Sequence, residues 1–71
     1  MGNMNYRIGS IIVYTDFLGC RRTVKIEGQY DDIKNGRPGF DAIIISSTNR
    51  DDAKGDDVWG YDDQITMVRT F

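Results

Sequence analysis

The sequence predicts an all-β protein, a small barrel of five short strands. Three observations carry that prediction. β-Branched and aromatic residues fall in short runs, each broken by Gly, Asp, Asn or Pro. No window of about a dozen residues keeps an apolar period near 3.6, so no amphipathic helix is available. In the middle, Asn35-Gly36 and Pro38-Gly39 set two turn signals close together, directly ahead of the apolar run Ile43-Ile44-Ile45.

A chain of 71 residues has room for one core and one domain. Per-residue averages put its stability at about 3–10 kcal/mol. Nine Lys/Arg against eleven Asp/Glu leave a net charge of −2. No uniform positive field draws in nucleic acid or an anionic membrane. One cysteine, Cys20, forms no intrachain disulfide, which points to a reducing, cytoplasmic compartment. The opening residues show no apolar signal core, and Tyr6 stands where a myristoylation signal wants Ser or Thr. The apolar runs at 11–14 and 43–45 are far too short to span a bilayer, so no membrane is expected.

The first strand is expected over residues 8–14, with Ile11 and Val13 inward and Ile12 and Tyr14 on the other face. Residues 15–19 read as a turn in which Asp16 bonds nearby amides and Gly19 takes a permissive φ. Residues 20–27 alternate most clearly: Arg22, Val24 and Ile26 share one face, and Arg21, Thr23, Lys25 and Glu27 the solvated one. Gly28 then ends the strand, and residues 29–34 fill a loop with room for one helical turn and Ile33 tucked inward. Asn35-Gly36 needs φ > 0, and Pro38-Gly39 has the type II signature, with Gly39 at φ > 0.

The third strand, residues 40–46, contains an isoleucine triplet without alternation. That suits a central strand covered on both faces, or one with an exposed apolar side. Residues 47–57 are the most polar stretch and read as a mobile hairpin loop. Residues 58–61 form a short fourth strand, 62–65 a 3₁₀ turn and 66–70 a closing fifth strand. A closed barrel leaves few sheet edges exposed.

Strand, 3₁₀ turn and strand over Val58-Trp59-Gly60-Tyr61-Asp62-Asp63-Gln64-Ile65-Thr66-Met67-Val68 resemble the SH3-like barrels. The chain also resembles small uncharacterised proteins encoded by bacteriophages of actinobacteria. That second likeness rests on Tyr14-Thr15-Asp16-Phe17-Leu18-Gly19, on Tyr30-Asp31-Asp32-Ile33-Lys34-Asn35-Gly36-Arg37-Pro38-Gly39-Phe40-Asp41 and on Trp59-Gly60-Tyr61-Asp62-Asp63-Gln64-Ile65. It implies a viral protein in the host cytoplasm, and it implies no activity and no catalytic residues.

Chemistry-bearing motifs are scarce. There is no histidine, the commonest general base and transition-metal ligand. Cys20 beside Arg21 and Arg22 has the look of an ordinary strand cysteine. No glycine spacing matches a phosphate or dinucleotide loop. No enzyme activity and no cofactor are therefore expected. Asp31-Asp32, Asp51-Asp52, Asp56-Asp57 and Asp62-Asp63 hold eight of the eleven acids. Hard cations want such oxygens, but the spacing misses the EF-hand pattern and Arg50 and Lys54 lie among them. Turn-stabilising side-chain bonds account for every pair, so no metal site is read.

Two contact surfaces remain as candidates. Tyr14, Phe17, Trp59 and Tyr61 are the expected partner-binding residues. Trp59 and Tyr61 alternate onto one strand face, Phe17 and Tyr14 lie in or next to loops, and the barrel core leaves Ile12, Tyr14, Ile43, Ile45 and Tyr61 in surplus. Either the long loops fold over the outer faces and bury this surplus, or it forms an exposed apolar patch. Such a patch marks an interface with another protein, a host protein or a second copy in a homo-oligomer. Arg7, Arg21 and Lys25 are the alternative, a basic row that with nearby aromatics would bind single-stranded nucleic acid. Glu27 on the same face and the acidic composition make nucleic acid the weaker expectation. The function expected is a protein–protein interaction module without catalysis.

Overall fold

Five antiparallel strands form one sheet: β1 (Ile11–Thr15), β2 (Arg21–Lys34), β3 (Arg37–Ser47), β4 (Asp57–Tyr61) and β5 (Ile65–Thr70), with a 3₁₀ turn at Asp62–Gln64 before β5. The order is β4-β3-β2-β1-β5. This is the all-β, five-stranded fold with a 3₁₀ turn ahead of the last strand that the sequence predicts. The computed structural model describes residues 6–70; the segment 1–5, where no targeting signal is read, lies outside the described residues.

The core forms where the alternating faces meet. Val24 and Ile26 of β2 point inward as expected, opposite Ile44 and Ala42 of β3. Ile12, Tyr14 and Phe40 join them with no exposed surface. Full burial of each aliphatic side chain stabilises the fold by about 1.5–3 kcal/mol. Tyr14 and Phe40 meet edge to face at 5.1 Å, an arrangement that suits the ring quadrupoles.

The pleat of β1 is opposite to the expected one. Ile12 and Tyr14 are buried and Ile11 and Val13 face outward, because Ile12 pairs with Val24 and Val68 across the two neighbouring strands. The strand also starts at Ile11, since Ser10 closes a turn with Arg7: the Ser10 amide donates to the Arg7 carbonyl at 2.9 Å.

Gly28 does not end β2. The strand continues to Lys34 with no helical turn in residues 29–34, and register shifts beside Gly28 and beyond Tyr30 let it bend with the sheet. A Cβ at position 28 would lie 2.6 Å from both Asp41 Oδ1 and the Tyr30 hydroxyl, so glycine is there for close approach. Asn35 and Gly36, at φ 59° and 73°, make a tight two-residue turn of the type I′ kind. Pro38 and Gly39 then belong to β3, and Gly39 is not at positive φ, so the type II turn is absent. Gly39 is needed for space: a Cβ would run into the Gly60 carbonyl and the Ile33 side chain.

Residues 48–56 are anchored rather than loose. Arg22 donates from Nε and Nη2 to the two oxygens of Asp52, at 2.8 and 2.9 Å, and the Ser47 hydroxyl adds a third bond at 2.6 Å. Such a two-pronged contact holds both partners in one geometry. No ladder joins β4 to β5 among the described residues. The 3₁₀ turn crosses that seam instead, and Gln64 clasps it.

Candidate functional site: an aromatic cluster at the barrel seam

The β1–β2 turn is wrapped around one carboxylate. Asp16 Oδ1 accepts from the amides of Leu18 at 2.9 Å and Cys20 at 2.8 Å, and Gly19 takes φ 86°. The other oxygen, buried without a hydrogen-bond partner, faces Arg22 Nε at 3.4 Å as an ion pair. With the backbone held this way, Phe17 and Leu18 stand outward, 64% and 79% exposed.

Trp59 and Tyr61 alternate onto one face of β4, and Gly60 between them faces Phe40, where a Cβ would sit only 2.8 Å from the ring. Phe17 reaches the same place from the turn. Ring centroids lie 5.4 Å apart for Phe17–Trp59, 6.1 Å for Phe17–Tyr61 and 5.3 Å for Trp59–Tyr61. Each ring thus contacts both of the others.

The Asn35-Gly36 turn delivers two cations to this cluster. Lys34 and Arg37 pair across the hairpin end. The Arg37 guanidinium lies 3.8 Å from the Tyr61 ring centroid, and the Lys34 ammonium is 5.1 Å from that of Trp59. Contacts of this kind are worth about 0.5–1 kcal/mol at exposed sites. Arg37 is also ion-paired with Asp63 at 2.5 Å. Asn35 Nδ2 donates to the Tyr61 hydroxyl at 3.1 Å, which fixes the turn against the ring.

Three of the four expected contact residues, Phe17, Trp59 and Tyr61, therefore come together, but Tyr61 is buried and Trp59 half-buried, so of these only Phe17 is exposed. Tyr14 does not join them. It has no exposed surface, and its hydroxyl accepts from Arg22 Nη1 at 3.0 Å. Burial pushes its phenol pKa up, with the Arg22 hydrogen bond pulling the other way. Tyr14 is a core residue because the pleat of β1 runs opposite to expectation. Leu18, Lys34 and Arg37 were missed by sequence reasoning. A signal for the two cations was present, since residues flanking a two-residue hairpin turn are cross-strand neighbours.

Arg21 and Lys25 are exposed on one face of β2, as expected, and Arg7 lies in the turn before β1. Their strand neighbours are Thr15 for Arg21, and Ile11 and Ile43 for Lys25. Among the described residues no aromatic side chain is a direct strand partner of Arg21 or Lys25. On the same outer face Ile45 and Met67 are exposed, and Ile11, Val13 and Ile43 half-buried.

Among the described residues, no cluster of three or more acidic or cysteine side chains is placed to hold a metal ion. No helix of the described residues is long and apolar enough to cross a membrane, which says nothing of strands. No protein-family model, no curated protein and no solved structure matches the chain.

Proposed function

We propose that this barrel is a protein–protein interaction module that performs no catalysis. The observation that carries the reading is the mutual contact of Phe17, Trp59 and Tyr61 at the seam, with Phe17 and Leu18 left open to solvent. Interface energy concentrates in a few aromatic anchors, and aromatics that hold each other in place lose little freedom on binding. The resemblance to small phage proteins makes a host protein the partner to seek and the host cytoplasm the compartment. The same surface also admits a second copy of the chain.

The test is a comparison of two baits. Wild type and a Phe17→Ser/Leu18→Ser variant, both verified as folded by circular dichroism, are used to capture proteins from a bacterial host lysate for mass spectrometry. A protein retained by wild type and lost from the variant supports the reading. Identical captures by the two baits reject it.

A further inference from the structure

Lys34 and Arg37 stand beside the aromatic cluster but differ in what already neutralises them. Arg37 is committed to Asp63 and stacked on Tyr61. Lys34 is exposed, and among the described residues its ammonium has no carboxylate within ion-pair distance; its contact is the face of Trp59. The nearby Asp32 is occupied, accepting from the Gly36 amide at 2.9 Å within the turn. The site therefore offers one uncommitted positive charge on the face of a half-buried Trp59, whose ring packs against Phe17 at the solvent-open Phe17-Leu18 pair.

We propose that this surface docks a peptide segment in which an acidic residue neighbours a large apolar one. The carboxylate pairs with Lys34, which turns from the Trp59 face on its flexible stem. The apolar side chain takes the space that Lys34 leaves, against Phe17 and Trp59. The charge count selects the ligand. A single free ammonium matches a single carboxylate, whereas a nucleic acid needs a row of cations for its phosphates. A basic peptide would meet Lys34 as a like charge on entry. This proposal rests on the reading of the cluster as a protein-contact surface.

Selection from a library of displayed random short peptides tests it, with wild type, Lys34→Glu and Trp59→Ala as targets. Lys34 is exposed, so its reversal leaves the fold intact, as circular dichroism will verify. The expected result is enrichment of Asp or Glu beside Phe, Trp, Leu or Ile on wild type. Affinity of the selected peptides should fall by about tenfold on Lys34→Glu, the size of one charge-assisted hydrogen bond, and be lost on Trp59→Ala. Peptides that need Trp59 but show no acidic preference, or bind Lys34→Glu equally well, overturn the acidic ligand and leave the contact surface standing. No enrichment on wild type overturns both. Tight, salt-sensitive binding of a mixed-sequence single-stranded oligonucleotide, lost on Lys34→Glu, overturns the peptide in favour of nucleic acid.

Discussion

The side-chain amide of Gln64 donates to the carbonyl of Thr15 at 2.7 Å, while its oxygen accepts from the Tyr61 amide, also at 2.7 Å. One half-buried side chain thus ties the end of β4 to the end of β1, where no strand ladder exists. Gln64→Ala leaves both backbone groups without these partners, and that typically costs about 1–3 kcal/mol. Urea denaturation should show that loss, together with a weaker hold on the aromatic cluster beside the clasp. An unchanged midpoint would mean that water replaces the amide at no cost.

Two glycines separate crowding from backbone strain. Gly39→Ala must push a methyl group into the Gly60 carbonyl and Ile33. Overpacking of that kind costs about 1–3 kcal/mol, and backbone offers little room to give. Gly55 has φ 94° and nothing near its missing Cβ, so Gly55→Ala is expected to cost about 1 kcal/mol from conformation alone. Thermal melts should rank Gly39→Ala below Gly55→Ala, and Gly55→Ala below wild type.

Acid should loosen residues 48–56. The Arg22 hydrogen bonds, followed by that from Ser47, hold the Asp52 carboxyl below its ordinary pKa of 3.8. A depressed folded-state pKa means the contribution is complete above the unfolded value and is lost as pH falls through the folded one. The window therefore lies below about pH 4. Wild-type stability should fall more steeply there than that of Asp52→Asn, with equal slopes between pH 5 and 7. Matching acid limbs would show that the Arg22 contact is not maintained in solution.

Calcium or magnesium at millimolar concentration is expected to leave the melting temperature unchanged. Asp52 is engaged by Arg22 and Ser47, Asp56 accepts from the Ala53 amide at 3.2 Å, and among the described residues no three acidic side chains converge on a shared centre. A ligand bound only by the folded state must raise the melting temperature. A clear rise, abolished by Asn at positions 51, 52, 56 and 57, would reveal a site.

Legibility in the sequence followed from how strongly each residue marks its side. In β2, Arg21, Lys25 and Glu27 flag the outer face, so the inward positions of Val24 and Ile26 could be read directly. In β1, Ile11-Ile12-Val13-Tyr14 holds no charged residue to set the phase, and pairing with β2 and β5 decided it. Slipping by one residue exchanges every side chain between faces, which is how Tyr14 moved from the surface to the core. Gly28 and Pro38-Gly39 look like breaks because glycine and proline usually punctuate. Here Gly28 and Gly39 admit the atoms of neighbouring strands, a reason invisible without tertiary structure. The turn chemistry of Asp16, Gly19 and Asn35-Gly36 is local and was legible for that reason. Lys34 and Arg37 are hard to place from sequence because Gly28 and Pro38-Gly39 suggest strand ends well short of the turn that β2 and β3 actually reach.

The most direct measurement is the affinity of a captured protein partner for wild type, Phe17→Ala and Arg21→Glu/Lys25→Glu, each at low and high salt. Binding through the aromatic cluster predicts a loss of about 2 kcal/mol for Phe17→Ala, as for a central interface anchor. It predicts little change for the double charge reversal and a shallow dependence on salt. Affinity that collapses on reversing Arg21 and Lys25, falls steeply with salt and ignores Phe17→Ala would contradict it.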